Sequence, residues 1–218
     1  MFSEFSQFFL MIVPLVFAVT IHEAAHAYAA FQMGDDTARL AGRLTLNPVR
    51  HLDPVGSFLL PLILKLSGSP FVFGYAKPVP VNSVNFRDYR KGMIVVASAG
   101  VAANLILAVL SGIMFKALIY FGSVWADSFL EYLIMPLLKM LNYNVIINLV
   151  LAVFNLIPVP PLDGSKIFAM LLPPDLRMKY SAIAPYGMFI IIALLMTRIF
   201  DKLISVFVLP LYKFLTGI

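Results

Sequence analysis

The sequence predicts an all-α polytopic membrane protein with about four spanning helices, a short re-entrant or interfacial helix and a small membrane-associated β-element. Three observations predict this class. The 218 residues are 61% hydrophobic and 12% charged, whereas soluble domains are about 45–50% apolar and about 25% charged. The mean hydropathy is +0.93, and the apolar residues collect in runs that are long enough to cross a bilayer. We therefore expect residues 1–218 to form a single integral-membrane domain.

The spanning helices are predicted from apolar runs at about 6–31, 93–120, 132–157 and 187–210, against roughly 20 residues per crossing. No Lys or Arg precedes the first run, so we expect a retained membrane helix rather than a cleaved signal peptide. A fifth run at 51–66 is shorter and contains two prolines. We expect it to dip into the membrane and return, although a further crossing stays open.

The β-element is predicted from two segments that follow the first helix. Residues Arg39 to Leu46 alternate between apolar and polar side chains, and this period of two predicts a strand. The segment 71–81 contains two prolines, which suit an edge strand or a turn rather than the centre of a sheet. We expect the two segments to form either a small structural hairpin or an exposed strand edge with which a further extended chain can pair by its backbone.

The loop charges predict the orientation in the membrane. Lys and Arg are frequent in residues 33–92 and 161–183, and none occurs in residues 121–131. The positive-inside rule places the first two connections in the cytoplasm and the third outside, with four crossings and both termini outside. The net charge of +5 thus follows from membrane topology, and we expect no nucleic-acid partner.

The motif HEAAH at residues 22–26 lies inside the first apolar run. On a helix, His22 and His26 lie on one face, one turn apart, so both imidazoles can bind one divalent ion while Glu23 acts on its water. The chain has no cysteine, which leaves histidine and carboxylate as ligands. The alternative is that these are polar residues satisfied within a helix bundle, but ionisable groups at membrane depth are costly and usually functional.

A two-histidine site needs a third protein ligand and an open position for water. His51, near a predicted membrane boundary, is expected to be an interfacial residue, and its role stays open. The stronger candidate is Asp163, which follows a proline-rich break after the third spanning run. Taken alone, Asp163 would be interpreted as a helix cap or a solvated loop aspartate. One crossing separates the first and third spans, however, so both run the same way and Asp163 can reach the depth of His22 and His26.

HEAAH together with NLIPVPPLDG at residues 155–164 resembles the site-2 protease family of intramembrane zinc metalloproteases. NPVRHLDPVG, FGYAKPVPVN and ASAGVAANL are also similar to this family. The resemblance implies one Zn²⁺ per chain held by His22, His26 and Asp163, with Glu23 as the catalytic base. It implies that Asn155 helps to hold the substrate carbonyl or oxyanion.

The resemblance further implies the short form of the family, without a PDZ or CBS domain. Its substrates would be transmembrane proteins within the lipid bilayer, cut by regulated intramembrane proteolysis. The short form and the loop charges together predict the bacterial cytoplasmic membrane as its location, with the active site towards the cytoplasm.

Two other classes of function stay open. A divalent-metal transporter would need further acidic or histidine side chains along its path, and the chain has three His and 11 acidic residues in all. A catalytically silent membrane scaffold would predict a damaged motif, whereas HEAAH is intact. Asn155 also has a structural alternative, a hydrogen bond between helices. The sequence identifies neither the substrate nor the oligomeric state.

Overall fold

The computed structural model describes residues 4–59, 63, 66–67, 76–126 and 128–218. This part of the chain is helical, with short 3-10 or π segments and irregular connections between the helices. The α-helices are α1 (Glu4–Met33), α2 (Thr37–Leu40), α3 (Tyr89–Tyr120), α4 (Gly122–Trp125), α5 (Glu131–Asn155), α6 (Asp163–Leu171), α7 (Pro174–Ser181), α8 (Gly187–Met196), α9 (Ile199–Leu203) and α10 (Leu209–Thr216).

Four helical stretches are long and apolar enough to cross a membrane, as predicted: Phe9–Met33, Tyr89–Tyr120, Glu131–Asn155 and Pro174–Met196. The first three correspond to the predicted runs. The fourth differs, because the predicted run 187–210 is broken at Thr197, where the backbone is extended. A hydropathy average over this run does not register the break, which coincides with the polar pair Thr197–Arg198.

Helices α1, α3 and α5 pack together and form the centre of the molecule. Small residues on the buried face of α3, such as Gly92, Gly100 and Ala108, let the neighbouring helices approach closely. A buried polar contact joins α3 to α5, where the Asn144 side chain donates a hydrogen bond to Ser111 Oγ at 2.6 Å. The central position of α1 places the HEAAH motif inside the helix bundle.

The chain that leaves α1 is tied to the segment that precedes α3. Asp35 is fully buried and accepts hydrogen bonds from the Asn82 backbone at 2.7 Å and from the Asn85 side chain at 2.8 Å. Burial alone would raise the pKa of Asp35, but hydrogen bonds from Thr37, Asn85 and Asn82 outweigh it and lower that pKa. This carboxylate therefore fixes one end of the segment 76–82 against the end of α1.

The predicted strand at Arg39–Leu46 is wrong. Helix α2 ends at Leu40, and the chain then turns through Gly42, whose φ is +64°. The alternating pattern assumes that one face of the segment is buried, yet Leu40 and Leu46 are 81% and 67% exposed. No strand occurs among the residues that the structure describes, so the predicted β-element is not confirmed.

The two remaining predicted segments fall partly outside the described residues. Of 71–81, residues 71–75 lie outside them, and 76–81 form an irregular connection without strand pairing to the rest of the described chain. Of 51–66, residues 54–59 form a short π-helical segment, and 60–62 and 64–65 lie outside. Whether this run re-enters or crosses the membrane stays a prediction.

Candidate metal centre

His22 and His26 face each other on α1, as their spacing predicts. Their ring centroids are 4.6 Å apart with an interplanar angle of 87°, and their Nε2 atoms are separated by 3.0 Å. Both residues are buried. The helix therefore presents two imidazole nitrogens to one point in the protein interior.

Asp163 completes this group, although it lies more than 130 positions further along the chain. Its Oδ2 is 3.2 Å from His22 Nε2 and 3.0 Å from His26 Nε2, and the residue is buried.

The connection between α5 and α6 carries Asp163 to the histidines. Helix α5 ends at Asn155, and α6 begins at Asp163 after an extended Leu162. A Cβ at Gly164 would overlap the carbonyl group of Leu156, so the connection can fold back this tightly because residue 164 is glycine. The Ser165 hydroxyl donates a hydrogen bond to the Leu162 carbonyl at 2.6 Å and closes the first turn of α6.

Helix α3 contacts both imidazoles through Val96 and Gly100. His26 Nδ1 donates a hydrogen bond to the Val96 carbonyl at 2.7 Å, so a neutral His26 carries its proton on Nδ1 and presents a lone pair at Nε2. Gly100 lies against both rings, and a Cβ there would be 2.5 Å from His22 Cε1 and from His26 Nε2.

These side chains fit a zinc ion. With His22 in the same tautomer, the three converging atoms are all acceptors, and such a group is unfavourable unless a cation lies among them. Their separations of 3.0–3.2 Å are close to the ~3.3 Å expected about a tetrahedral zinc with bonds of roughly 2.0–2.1 Å. Within the described residues, this is the group of histidine and acidic side chains close enough to hold a metal ion.

Glu23 and Asn155 lie beside this group, in an open pocket of about 380 Å³. Glu23 Oε2 accepts a hydrogen bond from the Val79 backbone amide at 2.8 Å. The Asn155 side chain donates to the Leu151 carbonyl of its own helix at 3.0 Å. The remaining wall of the pocket includes Pro78 and Val81, so the 76–82 segment borders the metal group.

His51 is not part of the metal group. It is fully buried; its Nε2 donates to the Thr45 carbonyl at 2.8 Å, and its own carbonyl accepts from the Lys77 amide at 3.0 Å. His51 is buried because it follows the turn at Pro48–Arg50 and lies against Lys77, in the segment that leads to Val79.

Two cationic residues near the site were not singled out by the motifs. Arg43 is buried, and its guanidinium donates to the Lys77 carbonyl at 2.6 Å. The predicted strand placed Arg43 on its polar face, so nothing in the local sequence indicated that this residue is buried. Lys166 Nζ lies 2.9 Å from Asp163 Oδ1. This contact could have been predicted from their spacing of three residues on a helix.

The fold and the site define a polytopic membrane protein in which two histidines and an aspartate, beside a glutamate, form a buried group that could hold a metal ion. Residues 10–197 match the family model described as Peptidase family M50. The chain belongs to this family, the site-2 protease family. It is therefore a zinc metalloprotease with Zn²⁺ as its metal.

Individual relatives agree with this family. The chain is 38% identical over 187 residues to the Bacillus subtilis (strain 168) protein named "Putative zinc metalloprotease YwhC", covering 86% of this chain and 80% of the relative. It is 29% identical over 201 residues to "Putative zinc metalloprotease Rip2" of Mycolicibacterium smegmatis, covering 92% and 71%. No solved structure gives a significant match.

Proposed function

We propose that this protein is an intramembrane endopeptidase that cleaves peptide bonds in or near transmembrane segments of other membrane proteins, as in regulated intramembrane proteolysis. The observation that carries the proposal is that Asp163 lies close to His22 and His26. The two histidines are on a helix that is long and apolar enough to span the bilayer. Buried ionisable groups on such a helix are costly and mark function.

His22, His26 and Asp163 are the proposed zinc ligands, and a catalytic zinc with three protein ligands would keep a further position for water or substrate. When bound, the zinc ion supplies a Lewis acid that activates water and polarises the scissile carbonyl. Glu23 acts as the general base. Its Oε2 is oriented by the Val79 amide, and its carboxylate accepts a proton from the attacking water and delivers it to the leaving amine nitrogen.

Asn155 is the proposed donor to the substrate carbonyl oxygen. Its side-chain amide carries two N–H groups, and one of them is used by the Leu151 carbonyl. The second can donate to the oxyanion that develops as water attacks, which is the stage at which such a donor accelerates the reaction.

The segment 76–81 is the proposed place where an unwound substrate aligns. A helical substrate must first open its backbone hydrogen bonds, and an adjacent length of chain can then hold it by pairing. The segment lines the pocket at Pro78, Val79 and Val81, and the carbonyls of Val79 and Val81 are acceptors that such a peptide could use. Because backbone pairing reads few side chains, it implies broad sequence tolerance.

We propose the bacterial cytoplasmic membrane as the location, with the catalytic pocket towards the cytoplasm and residues 1–218 as one domain. The concentration of Lys and Arg in residues 33–92 supports this orientation. The transporter alternative lacks support, because the described residues offer one group of metal-binding side chains rather than a series along a path.

The test measures zinc content and cleavage of a transmembrane reporter in detergent for wild type, Glu23→Gln and Asp163→Asn. We expect Glu23→Gln to keep one zinc and lose hydrolysis, and Asp163→Asn to lose zinc affinity. Asp175→Asn, an exposed aspartate at the start of α7, is the matched control and should behave as wild type. Hydrolysis by Glu23→Gln at the wild-type rate would refute the assignment of the base.

A further inference from the structure

The two oxygens of the Asp163 carboxylate have different partners. Oδ2 faces the histidine nitrogens at 3.0 and 3.2 Å, whereas Oδ1 accepts a hydrogen bond from Lys166 Nζ at 2.9 Å. Lys166 follows one turn later on α6 and also lines the pocket. A cation outside the metal group thus holds the oxygen that does not face the histidines.

The burial of one partner, Asp163, distinguishes this pair from an ordinary surface ion pair. The Asp163 side chain is 6% exposed and that of Lys166 is 46% exposed. By contrast, the pair of Arg39 and Asp36, which has the same spacing, is 54% and 49% exposed. Solvent screens the second pair, and such pairs contribute little. The hydrogen bond to Asp163 is charge-assisted and lies at the boundary between protein interior and solvent, so it is stronger and more directional.

A carboxylate ligand can rotate about its last side-chain bond and can bind a metal through one oxygen or through both. A lysine that holds Oδ1 stops this rotation and directs Oδ2 at the histidine nitrogens. Partners of this kind orient metal ligands, and their removal typically lowers metal affinity about 10–100-fold.

We propose that Lys166 is a positioning residue that keeps Asp163 as a one-oxygen ligand of the zinc ion. This inference rests on the proposed function, since it takes Asp163 to be a ligand. Lys166 does not touch the reacting atoms in this role. It determines instead how tightly the metal is held.

The experiment measures zinc affinity of the full-length protein in detergent by competition with a chelator, for wild type, Lys166→Met and Lys166→Arg. We expect Lys166→Met to bind zinc about 10–100-fold more weakly, and Lys166→Arg to restore most of the affinity, because arginine also donates to a carboxylate. The matched control is Lys179→Met, which removes an exposed lysine from the last turn of α7 and should keep wild-type affinity.

The thermal unfolding of the zinc-free proteins separates positioning from a structural role. We expect zinc-free Lys166→Met to unfold at the same temperature as zinc-free Lys179→Met. A lower temperature for Lys166→Met alone, with unchanged zinc affinity, would show that the pair merely stabilises α6 and would overturn the inference.

The same measurement on Asp163→Asn distinguishes the two levels of the proposal. If Asp163→Asn loses affinity while Lys166→Met keeps it, the inference about Lys166 fails and the proposed ligand set stands. If wild type binds no zinc, or Asp163→Asn binds it as tightly as wild type, the ligand set itself fails and the inference fails with it.

Discussion

Replacing Gly100 with alanine should damage the metal centre while leaving the helix bundle folded. The added Cβ would lie 2.5 Å from His22 Cε1, 2.5 Å from His26 Nε2 and 2.7 Å from His22 Nδ1. Contacts between non-bonded carbon atoms are normally about 3.5–4.0 Å, so the two rings must retreat by roughly 1 Å. Both rings belong to the proposed ligands, and the displacement therefore acts directly on the site.

The expected loss of function is much larger than the loss of stability. Overpacking of this size costs about 1–3 kcal/mol, and alanine returns about 1 kcal/mol of helix propensity. The net change in unfolding free energy is therefore at most about 2 kcal/mol. A misplacement of about 1 Å at a reacting centre, however, costs on the order of 100-fold in rate.

The assay compares zinc affinity, reporter cleavage and thermal unfolding of wild type and Gly100→Ala. The matched control is Gly122→Ala, also on a helix, where the nearest atom to the added Cβ is 3.9 Å away. We expect Gly122→Ala to keep zinc and activity, and Gly100→Ala to bind zinc more weakly and to lose about 100-fold in cleavage rate while remaining folded. Wild-type zinc affinity and cleavage in Gly100→Ala would refute the reasoning, because the rings would then have moved without consequence.

Two further substitutions test the segment beside Glu23. Arg43→Met removes the donor to the Lys77 carbonyl and should lower kcat by up to about 100-fold through a misplaced Val79 amide, with zinc content unchanged; unaltered kcat and KM would contradict this. Asp35→Asn weakens charge-assisted hydrogen bonds and should lower the unfolding free energy by about 1.5–3 kcal/mol, measured by denaturant titration. Because the pKa of Asp35 is lowered in the folded protein, its stabilisation is fully present above its ordinary pKa of about 3.9 and disappears as the pH falls through the lower folded value. On acidification, wild type should lose the unfolding free energy that the ionised Asp35 contributes, and Asp35→Asn should not. The same dependence of unfolding free energy on pH in both proteins would contradict this prediction.

Local pattern was sufficient for three of the four spanning helices and for the shared face of His22 and His26. A chain in lipid must satisfy its backbone groups within each segment, so long apolar runs become helices whatever surrounds them. His22 and His26 share a face because four residues make about one helical turn. Asp163 followed from counting crossings, since helices separated by one crossing run in the same direction.

Where the prediction depended on which face is buried, it failed. The alternation at Arg39–Leu46 has the period of a strand, but Leu40 and Leu46 are exposed, and no strand occurs among the described residues. The fourth apolar run has the composition of one helix, but it breaks at Thr197. Periodicity reports a potential for structure, and the surrounding contacts decide whether that potential is used.

The sequence by itself determined the class of protein and placed His22 and His26 on one helix face with Glu23 beside them, because helical spacing and apolar runs are local properties. The tertiary structure alone decided what surrounds them. The Val96 carbonyl that orients His26 is 70 residues away in sequence, and the Val79 amide that meets Glu23 is 56 residues away. Backbone carbonyls and amides are the same at every position, so only the packing of α3 and of the 76–82 segment against α1 selects which of them act.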